Sequence, residues 1–227
     1  MPPTPALVPL LLTGHFHEPL AGVSHEVELT IRAGDDKPVR LRGALLWTHF
    51  GVSGPVVLNA SRFWHRADLE RRPVTMSANF LPGNDFAAAE LRVLELAEAQ
   101  PRTLLHNALA TLLPARVAAA ILQKLGLAER IALAQLARDQ RRRLVRALLE
   151  WPLPVSGSRG YSYAEVTAGG VPLTEVDPGT LESRKCPGLF LVGEILDVDG
   201  RIGGFNFQWA WSSGRVAAAC IGRIGMG

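Results

Sequence analysis

The residues best suited to chemistry lie in the stretch "GLFLVGEILDVDGRIGGFNFQWAWSSG", residues 188–214. Its apolar opening reads as a short strand buried on both faces, and it runs straight into Gly193-Glu194. Asp197 and Asp199 follow in an acidic loop, then Gly203-Gly204, then a helical pattern from about Asn206 to about Ile221. Glycines without a Cβ let a backbone approach a bound group closely. A helix start behind them presents unpaired N–H groups and the positive end of the helix dipole. Together these would stabilise a group with partial negative charge, such as a phosphate or the N1–C2=O edge of a reduced flavin. A plainer reading also stands: a Gly-rich turn that packs the helix onto a sheet.

A second dense motif, "LLWTHFGVSGP" over residues 45–55, reads as a strand ending at Phe50, a glycine-serine loop and a helix opening on Pro55. Proline suits the first helical position because the N–H it lacks would be unpaired there anyway. The loop could hold an anion on free amides or could be no more than a tight strand-to-helix connection. His49 lies in this motif and is read as holding the loop rather than as a general base.

Other chemistries lack their residues. There is no G-x-S-x-G elbow, no P-loop and no G-x-G-x-x-G after a strand. His15 and His17 could share one strand face, but no third ligand stands at a plausible spacing, so they read as a surface pair and no metal site is expected. Cys186 and Cys220 form no CxxC spacing and read as reduced, structural residues.

The elements that must position these residues change character along the chain. Residues 25–33, "HEVELTIRA", alternate apolar and polar with period two, and "VRLRGALLWTHF" resumes the pattern after the "GDDKP" turn, which predicts a hairpin. Residues 74–81 are a further strand. From Asp85 the apolar spacing becomes helical, with Asn84 or Asp85 as N-cap, and helices are expected over 103–112, 115–125 and 128–149. After Trp151 the chain turns strand-like again, and Gly169-Gly170 inside "AEVTAGGVPLTEV" points to a bulge or close backbone approach. These shifts divide the chain into a β-rich part (1–83), a helical part (84–155) and a C-terminal segment (156–227).

Bulk properties fit a core-forming protein: 48% of residues are hydrophobic and 20% charged, so the 227-residue chain can bury a core without disulfides. The net charge of +3 is too small to argue for nucleic acid. The run "RDQRRRLVR" (138–146) reads as the solvated side of an amphipathic helix with Leu144, Ala147 and Leu148 opposite, and no aromatic interleaves to stack on bases. The proline-rich N-terminus lacks a signal peptide's basic region and is too short to span a bilayer. A soluble, cytoplasmic protein with no nucleic-acid or membrane partner is expected.

The motifs together, "PALVPL", "LLWTHFGVSGP", "AEVTAGGV" and above all 188–214, resemble the HI0933-like flavoproteins of the YhiN and BaiN type, within the two-dinucleotide-fold FAD oxidoreductases. The resemblance covers most of the chain. It implies an α+β and α/β architecture: an inserted β-barrel-like domain with a helical cluster, followed by the C-terminal strand-helix part of an FAD-binding domain. It further implies non-covalent FAD, a small-molecule substrate and NAD(P)H or O₂ to close the redox cycle; some members carry an aminoacetone-oxidase-type label. By the same resemblance Glu194 faces the ribityl or pyrophosphate region, Gly193, Gly203, Gly204, Phe205 and Asn206 surround the flavin, and Gly169 and Gly170 lie near it.

The resemblance has one large departure. The G-x-G-x-x-G unit that would hold the FAD pyrophosphate does not occur in this sequence, so the C-terminal motif reads as one jaw of a clamp. A truncated, split or miscalled gene is expected, and the isolated chain is expected to be inactive or to hold flavin weakly. The alternative is a catalytically inactive flavoprotein remnant that serves as a binding or interaction module.

Overall fold

Period-two patterning builds the longest strands of the computed structural model, which describes residues 1–128 and 130–224. In β3 (Ser24–Ala33), Val27, Leu29 and Ile31 point inward while their neighbours face out. β3 pairs antiparallel with β4 (Val39–Thr48), Leu29 opposite Leu41, as the hairpin pattern predicts. The small strands β1 (Thr4–Ala6), β2 (Leu10–Leu12) and β5 (Gly51–Ser53) surround this hairpin in sequence. Then come α1 (Pro55–Leu69) and β6 (Val74–Asn79).

Seven strands form one antiparallel sheet in the order β7-β6-β3-β4-β5-β2-β8. β7 (Trp151–Leu153) and β8 (Val155–Ser158) are successive pieces of one segment, separated by Pro154. One piece pairs with β6 and the other with β2, at opposite edges of the sheet. A single stretch of chain thereby joins both edges and closes the seven-stranded sheet into a barrel.

Between β6 and β7 the chain detours through four helices: α2 (Phe86–Ala99), α3 (Leu105–Ala110), α4 (Ala115–Leu125) and α5 (Arg138–Leu149). Asp85 is the N-cap of α2, its Oδ1 accepting from the Ala88 amide at 2.8 Å. Gly126 ends α4 in the left-handed conformation at φ 64°. The helix expected over 128–149 begins only at Arg138, and Glu129 lies outside the described residues. The backbone before it is bonded across to the segment preceding α3, with the Leu105 amide donating to the Ile131 carbonyl and the Leu133 amide to that of Thr103. Groups used in cross-chain bonds cannot also continue a helix. On α5, Leu144, Val145 and Leu148 are buried, Arg138, Arg143 and Arg146 are exposed, and Arg141 is half-buried in an ion pair with Glu90 at 3.3 Å. Arg142 and Arg146 stand over the Phe86 ring, 5.2 and 6.0 Å from its centroid, so the fold supplies an aromatic that the local sequence lacks.

One apolar core runs through the barrel, α1 and the helices, and among the described residues it takes in no side chain after Val155. Trp47 lies fully buried at its centre; burying a side chain of this kind stabilises the fold by about 1.5–3 kcal/mol. Its indole N–H needs an acceptor there, and His25 Nε2 provides one at 3.1 Å, which leaves the ring proton on Nδ1. Burial pushes His25 below its usual 6.5, partly offset by a hydrogen bond to the Glu26 backbone; burial also lowers His65, offset by Asp68. A lowered histidine stays neutral in the folded chain while the unfolded chain takes up a proton below about pH 6.5. Stability is therefore full above that pH and falls as the pH drops through the window below it. The urea midpoint should decrease from pH 7.5 to pH 5.5, and H25Q, whose amide oxygen can still accept from Trp47, should flatten part of that slope. A midpoint that rises on acidification would contradict this account.

The C-terminal segment packs differently. β9 (Val166–Ala168) pairs antiparallel with β1 at the other end of the chain. Residues 188–192, predicted as a strand buried on both faces, form no ladder: Phe190 makes one isolated bridge to Glu182, and Leu189 and Val192 are exposed. Apolar content alone does not make a strand: the run meets only residues 181–183 on one side, with the Ser183 amide donating to the Leu189 carbonyl and the Leu191 amide to that of Leu181, and this contact is too short to build a ladder. A 20-residue helix, α6 (Phe205–Ile224), completes the described chain.

Candidate functional site

The start of α6 is built on two glycines in a conformation that suits glycine alone. Gly203 and Gly204 have φ of 117° and 85°, a region that residues with a Cβ rarely adopt. The Gly204 carbonyl accepts from the Gln208 amide, so α6 starts here, and the first amides of the helix have no acceptor within it. Asn206 fixes the preceding loop from both sides: its Oδ1 accepts from the Gly200 amide at 2.7 Å and its Nδ2 donates to the Gly200 carbonyl at 3.2 Å. Arg201 stacks over the Phe205 ring at 4.7 Å.

Gly193 and Glu194 are tied to the same helix and to β9. The Gly193 amide donates to Ser213 Oγ at 2.9 Å, and its carbonyl accepts from Trp209 Nε1 at 3.0 Å. The Glu194 carboxylate accepts from the Thr167 amide.

These pieces border an open cavity of about 500 Å³. Glu194, Gly203, Gly204 and Asn206, all singled out in the sequence, line it. Leu7, Val166, Ile202, Phe207 and Ala210 give it apolar walls, and Glu165 and Arg201 bring charges to it. Sequence reasoning missed Leu7. This buried leucine holds φ 51°, and a bulky residue in that region is strained. No local signal marks it, since its conformation follows from the packing of β1 and β9 around it. Phe207 was legible in principle as the partner of Trp211 one helical turn on, and the two rings stack at 6.1 Å.

Other sequence candidates do not line the cavity themselves. Gly169 and Gly170 do make a close backbone approach, but to the chain itself: a Cβ at Gly169 would lie 2.4 Å from the Pro2 carbonyl oxygen, and one at Gly170 2.4 Å from that of Ile195. Gly193 and Phe205 border the helix start without lining the cavity. The glycines of the 45–55 motif also meet the chain's own strands, and residues 51–53 form β5, so the motif makes a tight strand-to-helix connection. His49 is exposed at the β4–β5 turn. His15 is exposed and paired with Glu18, whereas His17, expected at the surface, is buried: it enters the turn that carries Leu20 into the core.

Beside the cavity, α6 keeps a second apolar stripe uncovered. It buries Ser213, Ala217 and Cys220, while Phe207, Trp211 and Ile221 are exposed together with Ile195 and Val192 before the helix. Cys186 and Cys220 are free thiols. Among the described residues, no group of three or more His, Cys, Asp or Glu could hold a metal ion, and no helix is long and apolar enough to cross a membrane.

Comparison with known proteins places this geometry in context. A family model described as "HI0933-like protein barrel and H2TH domain" matches residues 4–166. The chain is 39% identical over 220 residues to a ribosomal RNA dihydrouridine synthase of Escherichia coli, covering 94% of this chain and 50% of the relative. It is 32% identical over 225 residues to a protein of the same name from Haemophilus influenzae, covering 98% and 53%. A 3-dehydro-bile acid delta(4,6)-reductase of Clostridium scindens is 31% identical over 216 residues, covering 95% and 53%. The chain spans about half the length of the curated relatives it matches.

Proposed function

The chain belongs to the HI0933-like family, and from that premise we propose that it forms the ring side of a flavin site in an oxidoreductase, the FAD phosphates being held by a second polypeptide unit. The cavity at the start of α6 carries this reading. Its volume of about 500 Å³ lies within the range of roughly 300–1,000 Å³ typical of small-molecule sites. Its walls are mainly apolar, as a planar ring requires, and the open helix amides favour negative charge at the edge they face. A Cβ at Gly204 would meet no atom of the chain within 4 Å, so the space there is left for something else. The exposed stripe of α6 would be covered by the unit that holds the phosphates.

A bound flavin supplies two-electron redox chemistry; the protein supplies orientation and electrostatics. Gly203 and Gly204 admit the ring to the helix start, Phe207 and Ile202 exclude water, and Glu194 holds β9 against the cavity through Thr167. The names of the relatives narrow the substrate class. A uracil ring has a C=C conjugated to a carbonyl, and so does a 3-keto-Δ4,6 steroid, so the substrate is an electron-poor C=C of this kind. NAD(P)H is the proposed electron donor. Ribosomal RNA, printed in two of those names, and a small enone form the two arms of a substrate test in the presence of the second unit.

Titration of the 227-residue chain with riboflavin, FMN and FAD, followed by tryptophan fluorescence, tests the ring-side assignment. The three should bind weakly and with similar affinity, because the phosphates and adenosine find no holder here. FAD binding more than about tenfold tighter than riboflavin, a gap of about 1.4 kcal/mol, would contradict the assignment, and so would no response to any flavin. An unresponsive but cooperatively folded chain would favour an interaction module instead.

A further inference from the structure

Both walls of the cavity are tied to one helix of the barrel domain. On one side, the Val8 amide, next to the cavity-lining Leu7, donates to the buried Ser61 Oγ at 3.2 Å. Ser61 in turn donates to the Leu58 carbonyl at 2.8 Å, so its hydroxyl orientation is fixed on α1. On the other side, Arg62 Nη1 donates to the Asp199 carbonyl at 2.6 Å and to its carboxylate at 2.9 Å, across 137 positions of sequence. Asn59 Oδ1 accepts from the Ile202 amide at 2.8 Å. Residues 59 and 62 are three apart and share a helix face, and between them they hold both ends of the segment 199–202. Asn206 grips the same segment at Gly200 from the α6 side. Arg201, Ile202 and Gly203, which continue from it, form cavity wall.

We infer that Asn59 and Arg62 are positioning residues, which set the place of the Gly203-Gly204 turn relative to the Leu7 wall and so the width of the site. The arrangement is more than a surface ion pair. The Arg62 and Asp199 side chains are 23% and 25% exposed, and Arg62 Nε is buried without a partner. Such a pair is screened little and held in one geometry. A loop that needed only an anchor could use its own Asn206; here the anchors come from the barrel, so the barrel and the C-terminal segment keep a fixed spacing across the cavity. The role as a flavin-positioning device rests on the proposed function, whereas the mechanical coupling does not.

Amide hydrogen exchange and riboflavin titration on the 227-residue chain separate the two. R62A and N59A should accelerate exchange at residues 200–207 by about tenfold, the equivalent of one lost charge-assisted or buried hydrogen bond, while the β3 and β4 amides keep their wild-type rates. Riboflavin should bind about tenfold more weakly, and R62K should recover part of both effects. D199A removes the carboxylate contact without touching α1, leaves the Asp199 carbonyl bond in place, and should reproduce part of the pattern if R62A does not fold. Unchanged exchange at 200–207, or equal acceleration across the barrel, overturns the clamp. If the unaltered chain binds no riboflavin, the flavin reading fails, and the exchange pattern still decides the clamp.

Discussion

Gly51→Ala should leave the chain unable to close its barrel. Gly51 has φ 150°, and a Cβ there would lie 2.3 Å from the Leu10 carbonyl oxygen and 2.8 Å from the Leu12 amide nitrogen. Both atoms belong to β2, which pairs with β5 through Leu10–Val52 and Leu11–Gly51 and carries β8 on its other side. Backbone atoms held between two strands cannot swing aside as a side-chain tip can. β2 would have to move away from β5 at the point where the last strands complete the barrel. A cost of about 3–5 kcal/mol or more is expected, comparable with the whole stability of many domains. Soluble yield and the urea unfolding transition measure it. Gly14→Ala is the control: at φ 76° with no atom within 4 Å, it should cost only the left-handed penalty of about 1–2 kcal/mol. If G51A unfolds at the same urea concentration as G14A, steric closure is not what selects glycine.

Gly204→Val should remove flavin binding from a chain that still folds. The residue sits at the first turn of α6, outside the apolar core, and its added Cβ would clash with nothing. At φ 85° a valine is strained by about 1–3 kcal/mol, which the end of a helix absorbs locally. The cost to binding is larger, because the branched side chain occupies space against the open helix amides on a turn that lines the cavity. Riboflavin affinity should fall by at least about a hundredfold, close to 3 kcal/mol, with a melting transition that remains cooperative. Gly214→Ala, which adds a methyl group to α6 at a position with no neighbour within 4 Å, should bind as the unaltered chain does. Wild-type affinity in G204V would show that the ring does not rest on this turn.

Much of the fold was legible because it is governed by neighbours in sequence. The alternation in 25–33 and 39–48 specifies the β3–β4 hairpin, Pro114 and Gly126 bracket α4, and Asp85 caps α2. The helix following Gly203-Gly204 was placed within a residue of its observed start. Barrel closure was not legible: β7 and β8 are three and four residues long with prolines in and between them, and only their partners β6 and β2 make them strands. The apolar run 188–192 fails for the opposite reason: its residues are strand-like, but its backbone pairing is limited to a single bridge with Glu182.

The candidate site divides along the same line. From the sequence alone follow the glycines at the head of α6, the carboxylate of Glu194 and the helix behind them, because positive φ, acidity and helical periodicity are properties of short segments. Only the tertiary structure decides that Gly203, Gly204, Glu194 and Asn206 face Leu7 and Val166 across one cavity while Gly169 and Gly170 are spent on the chain's own backbone. It alone brings Arg62 to Asp199 and Asn59 to Ile202. Local propensity acts over a few residues; contacts between residues more than a hundred positions apart are fixed by which faces the packed core brings together.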